Sequence, residues 1–144
     1  MGRPTAFTVF GAFLILTAVV TVVYWIVFFT SEGIVQTRTD EVYLAFERAF
    51  PLADAWLVVA SALAARGLLR ADSSGLLWSL LAGSSLIYLG LMDILFNLEN
   101  GIYTVLSSSV AIEIVINAFC VIFGPVLIAG VWSRRQLLLS GSGK

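Results

Sequence analysis

The chain has 144 residues, 60% of them hydrophobic and 12% charged, with a mean hydropathy of +1.00. A soluble domain is nearer half apolar and a quarter charged, so these proportions, with apolar residues in long blocks, exclude an ordinary soluble domain and indicate membrane-spanning helices. A net charge of −1 offers no basic surface for nucleic acid, and the lack of histidine removes the commonest general base and metal ligand, which argues against haem, zinc and Ser-His-Asp chemistry.

Residues 5–30 carry no charge, and about 26 residues at 1.5 Å apiece cross a 30 Å hydrocarbon core with tilt to spare. The run is about twice the apolar region of a signal peptide, and no small-residue cleavage site precedes Ser31-Glu32. A retained first helix is expected.

Residues 30–49 form the one sizeable polar loop. Val42, Leu44, Phe46 and Phe50 mingle there with Glu41, Glu47 and Arg48, a pattern that predicts a short helix lying at the interface. It leads into Pro51, which suits a first helical turn because its missing N–H would lack a partner there in any case.

The second crossing is expected over 51–69, with Asp54 and Arg66 near its ends. The third, over 74–98, follows the capping sequence Asp72-Ser73-Ser74. The fourth, over 109–132, follows Ser107-Ser108-Ser109 and holds Pro125 beside Gly124, which predicts a kink. Cys120, the single cysteine, reads as a small buried hydrophobe, and residues 140–144 read as a flexible polar tail. The expectation is one all-α transmembrane domain over 1–144, a four-helix bundle with short loops.

Four crossings put both termini on one side, together with Arg3, Arg66, Arg70, Arg134, Arg135 and Lys144; Arg38 and Arg48 fall on the other. By the positive-inside rule the termini are then cytoplasmic in a cell (plasma) membrane, and the loops around Arg38–Arg48 and Glu99–Ser108 face outward.

With that topology Asp54, Asp93 and Glu113 fall at one depth, near the outer ends of helices two, three and four. A carboxylate at the centre of a membrane helix costs roughly 2.5–3.5 kcal/mol on insertion scales, so such residues are usually paired or functional. Asn97 and Asn117 follow Asp93 and Glu113 at i+4 and share their faces. Thr17, Thr21 and Tyr24 make a polar stripe on helix one; Asp54, Ser61 and Ala65 make one on helix two. Gly83 and Gly90 extend the stripe of Asp93, and Cys120 and Gly124 that of Glu113. Small and polar residues are what membrane helices turn toward one another.

First-turn placement near the positive end of a helix dipole accounts for Asp54 and Glu113 taken singly. Asp93 lies toward a C-terminal end, where the dipole opposes it. Carboxylates gathered in low dielectric require a shared proton, a cation or a counter-charge, and Arg48 is the nearest candidate for the last. Oxygen-only ligands from Asp54, Asp93 and Glu113 would suit Ca²⁺, Mg²⁺ or Mn²⁺. No cofactor motif is present. Tyr24, Trp25, Tyr43, Trp56 and Tyr103 gather near the same end, as interfacial belt or pocket wall.

Three functions fit these features. The first is binding of a cationic or polar ligand (metal ion, proton or lipid-like molecule) from the outer side by Asp93, Asp54, Glu113, Asn97, Asn117 and Tyr24. The second is a structural or accessory subunit of a membrane complex, as homo- or hetero-oligomer. The third is an acid–base enzyme embedded in the bilayer. In overall plan, four crossings with intramembrane acids, the chain resembles small membrane isomerases of the emopamil-binding class, which would imply isomerisation of a lipid-like substrate; its lack of histidine departs from the sterol isomerases.

Overall fold

A computed structural model describes residues 4–31 and 34–140. Arg3 and Lys144 of the charge asymmetry, Glu32, and the tail at 141–144 lie outside the described residues. Among the described residues six helices follow one another: α1 (Thr5–Thr30), α2 (Glu41–Glu47), α3 (Pro51–Arg70), α4 (Ser73–Glu99), α5 (Ser108–Trp132) and α6 (Arg135–Ser140). A 3₁₀ turn, Ile102–Thr104, joins α4 to α5. Four of these helical stretches are long and apolar enough to cross a membrane, and the fold is an all-α four-helix bundle.

The termini of these helices follow from local chemistry. Asp40 caps α2 by accepting the Tyr43 N–H at 3.1 Å, and Ser107 caps α5 by accepting that of Val110 at 3.2 Å. Asp72 caps α4, accepting the Ser74 N–H at 3.0 Å and also the Ser74 hydroxyl. The bond from that hydroxyl is the main influence holding the Asp72 carboxyl below the usual carboxylate range. Between α3 and α4 the chain turns through Ala71 in the left-handed region at φ 54°. The Ala71 N–H bonds to the Leu68 carbonyl and the Asp72 N–H to the Gly67 carbonyl, each at 3.1 Å, the paired closure of a Schellman motif. α5 runs through Pro125 as one continuous helix.

The helices pack in the order α1–α3–α4–α5. α1 buries only a narrow stripe (Phe7, Gly11, Leu14, Thr17 and, further on, Phe28) and leaves most of its apolar surface outward, as a lipid-facing helix does. α4 and α5 approach closely because Gly83 and Gly124 oppose each other: a Cβ on Gly124 would lie 2.8 Å from the Gly83 carbonyl oxygen. α3 and α4 are tightest at their hairpin, where a Cβ on Gly67 would lie 2.3 Å from the Gly75 nitrogen. Backbone cannot yield there as a flexible side chain would. Gly67→Ala is therefore expected to lower the melting temperature despite alanine's better helix propensity, overpacking of this kind costing roughly 1–3 kcal/mol against the ~1 kcal/mol that propensity returns. A melting temperature equal to or above that of the unmodified protein would contradict this packing.

α1 and α5 barely touch. Phe13 reaches Phe119 and Phe123, with ring centroids 6.4 and 5.4 Å away, and Phe10 reaches Phe123 at 6.5 Å. Gly130, near the end of α5, leaves room for the Phe10 ring. These contacts join the first half of α1 to the second half of α5.

The short helix expected between the first two crossings forms, and one of its charged groups is buried. α2 folds over the open end of the bundle and buries Tyr43 and Glu47, one turn apart. Tyr43 packs with Ile102 and Val110, and Phe46 stacks flat on Phe96 of α4 with centroids 3.8 Å apart.

Candidate functional site

Beneath α2, at the end of the bundle away from Arg66, Arg70, Arg134 and Arg135, a cavity of about 310 Å³ lies between α1, α3, α4 and α5. Each long helix brings polar groups into it at helical spacing: Thr17, Thr21 and Tyr24 from α1, Asp54 from α3, Asp93 from α4, Glu113 and Asn117 from α5. Gly90 lets α4 come close to Cys120 of α5, a Cβ there being 2.8 Å from the Cys120 Cβ. This brings the faces that carry Asp93 and Asn117 together.

The acids fall into two sets. Glu47, Asp93 and Glu113 present carboxylate oxygens within 4.8 Å of one another, from α2, α4 and α5. Asp54 lines the same cavity outside this group, and its Oδ2 accepts the Trp25 indole N–H at 2.8 Å. The oxygens that approach one another thus differ from the set Asp54, Asp93 and Glu113 expected for a cation: Glu47 stands where Asp54 was expected. Asp54, one turn into α3, is turned to the α1 side and has an indole donor. Glu47 hangs down from α2.

A network of neutral groups holds the acids in place. Asn97 is fully buried behind Glu113, and its Nδ2 donates to Glu113 Oε1 at 2.6 Å and to the Tyr103 hydroxyl at 3.2 Å. Asn117 Nδ2 donates to the same hydroxyl at 3.0 Å, so Tyr103, reaching in from the 3₁₀ turn, ties α4 to α5. Both amides also bear on the Asp93 carboxyl. The Tyr24 hydroxyl donates to Glu47 Oε2 at 3.3 Å and fastens α2 to α1. Glu113 is only 8% exposed, and its Oε2 makes no well-formed hydrogen bond; the Thr37 hydroxyl, which also lacks one, bears on this carboxyl. The Asn97 Oδ1 is likewise buried and unpartnered.

Among the described residues no arginine bears on any of the four carboxyls. Arg48, expected as the counter-charge, takes the C-cap position of α2, where it donates its backbone N–H to Leu44, while Glu47 turns inward. Three carboxylates this close cannot all ionise in a low dielectric unless protons are shared or a cation intervenes. The donor set would suit a hard cation. Oxygens around one Ca²⁺ at 2.3–2.6 Å lie no more than about 5 Å apart, compatible with the observed span.

The sequence places Asp54, Asp93 and Glu113 at one depth and adds Tyr24, Asn97 and Asn117 to the same site. Five of them line the cavity, and Asn97 stands directly behind it. Glu47 does not stand out in the sequence, lying in a polar loop, although Tyr43, Glu47 and Phe50 follow i, i+4, i+7 and mark an inward face. Trp25 and Tyr103 fit belt and pocket wall alike by composition, yet each makes a specific hydrogen bond within the site.

No protein-family model, curated protein or solved structure matches this chain.

Proposed function

We propose that this chain is a multi-pass protein of the cell membrane, with cytoplasmic termini, that binds a cation in the carboxylate cavity from the outward side. One observation carries the reading: Glu47, Asp93 and Glu113 hold their oxygens within 4.8 Å of one another, and among the described residues no arginine bears on them. Purely structural acids in a membrane interior pair with a basic residue or a full set of donors. Among the described residues Glu113 has only the Asn97 amide on Oε1 and the Thr37 hydroxyl beside it, with no well-formed bond at Oε2 and no basic partner. A cation between the three groups would supply the missing charge, and the Asn117 amide would supply a further oxygen.

Thermal unfolding of the purified protein tests this, in neutral detergent with CaCl₂, MgCl₂, MnCl₂ or methylammonium chloride against sodium chloride of equal ionic strength. At least one of these cations is expected to raise the melting temperature, since a ligand at 100 times its Kd stabilises by about 2.7 kcal/mol. Asp93→Asn should fold and lose that increment. Identical melting in every salt, or an undiminished increment in Asp93→Asn, refutes cation binding at this site.

A further inference from the structure

We infer that the seam between α1 and α5 is a side entrance from the bilayer, and that the ligand is a long-chain alkylammonium: its charged head among Glu47, Asp93 and Glu113, its chain along the seam. This deepens the cation reading and rests on it.

Three observations carry it. The first is the gap itself. α1 and α5 approach each other at few points, Phe10 and Phe13 lying against Phe119 and Phe123, while nearer the acids residues of both helices line the cavity. Val20 of α1 and Val115 of α5 line the cavity while being 46% and 68% exposed. Side chains that face a cavity and the surroundings together mark a mouth, and here it opens sideways, on surfaces that in a membrane meet lipid tails.

The second is volume. Water occupies about 30 Å³ per molecule in the liquid, so about 310 Å³ is room for some ten waters. A bare metal ion would leave most of that space to water held against Leu16, Val20, Ile112 and Ile116. A small organic ligand suits the size, which lies at the low end for such pockets. Between Glu113 and Phe119 the wall runs about 9 Å at 1.5 Å per residue, and Phe119, stacked against Phe13, floors it.

The third is charge. The head end offers carboxylates, among them that of Glu113, a residue more than nine-tenths buried whose Oε2 makes no well-formed hydrogen bond. A phosphate or carboxylate head would be repelled there, which leaves ordinary phospholipids and fatty acids as poor occupants. A positively charged head on an apolar chain complements both ends.

A decylamine carrying a diazirine at its tail tests the seam, with the protein in lipid nanodiscs and labelled peptides read by mass spectrometry. Label is expected on residues 16–20 of α1 and 112–119 of α5. Unlabelled octylamine should compete, and Asp93→Asn should reduce the label at least tenfold. The matching decanoic acid should label the segments no more than it labels other lipid-facing surfaces. Val20→Trp and Val115→Trp, made separately, should each slow amine labelling severalfold. Circular-dichroism melting in ligand-free detergent close to that of the unmodified protein shows that each variant folds. Labelling that is equal for acid and amine, or indifferent to Asp93→Asn, overturns the inference. A methylammonium shift without seam labelling overturns it too but leaves cation binding standing. The absence of any shift or label removes both.

Discussion

Asp93→Asn is expected to melt higher than the unmodified protein when no ligand is present, by about 1–3 kcal/mol. Two unit charges 4.8 Å apart repel by roughly 3 kcal/mol at an effective dielectric constant near 20, and Asp93 faces two such neighbours, Glu47 and Glu113. Proton sharing relieves part of that repulsion, which is why the expected gain is smaller than the sum. Asparagine keeps the shape of aspartate and an oxygen for the Asn97 and Asn117 amides, so little packing is lost. Asp54→Asn provides the contrast. Its carboxylate stands apart from the triad and accepts the Trp25 N–H at 2.8 Å, so neutralising it weakens a charge-assisted bond and should leave stability unchanged or slightly reduced. Melting curves of the three proteins in ligand-free detergent decide the matter. If Asp93→Asn melts below the unmodified chain, the acids are not under mutual repulsion and the case for a missing cation collapses. Stability given up at a site to keep like charges together is a familiar signature of function.

How much of this was visible in the sequence depends on what each segment had to satisfy. The long helices were legible because lipid tolerates few exceptions: the uncharged run of α1, Pro51 opening α3 and the Asp72 and Ser107 caps leave little choice of boundary. The acid–amide pairs were legible for the same reason, since Asp93 with Asn97 and Glu113 with Asn117 interrupt otherwise apolar faces. α2 was different. In a stretch of seven residues with polar neighbours, an inward glutamate carries no contrast, and only the tertiary fold decides that Glu47 turns under the helix and Arg48 does not. The aromatic residues were ambiguous on physical grounds, because an interfacial tryptophan and a tryptophan donating to a buried aspartate have the same composition and depth. The α1–α5 seam could not be read at all. It arises from where four helices happen to meet, with bulky Phe10 and Phe13 packed on α5 in one half and, among the described residues, no ring pair between the two helices in the other.

Asn97→Asp should be the most damaging single change in the polar core, and Glu113→Gln should reverse it. Asn97 is fully buried, with its amide 2.6 Å from Glu113 Oε1. Aspartate there removes the donor and adds a fourth carboxylate to three that already lack a counter-charge. Repulsion between unit charges about 4 Å apart is about 4 kcal/mol at the same effective dielectric, enough to lose most of the folded protein where total stability is roughly 5–15 kcal/mol. Asn97→Leu should cost less, roughly 1–3 kcal/mol, because it leaves Glu113 Oε1 without a donor but brings no charge. In the double variant the roles exchange. The new amide at position 113 donates to the new carboxylate at position 97, and the number of acids returns to that of the original chain. Tyr103 turns its hydroxyl proton toward that carboxylate while still accepting from Asn117. A double-mutant cycle read by folded yield and melting temperature should therefore show a coupling of several kcal/mol in favour of the pair. Additive losses would mean that Asn97 and Glu113 do not share the bond on which the geometry of the triad rests, and Glu113 would then be free to turn away from Glu47 and Asp93.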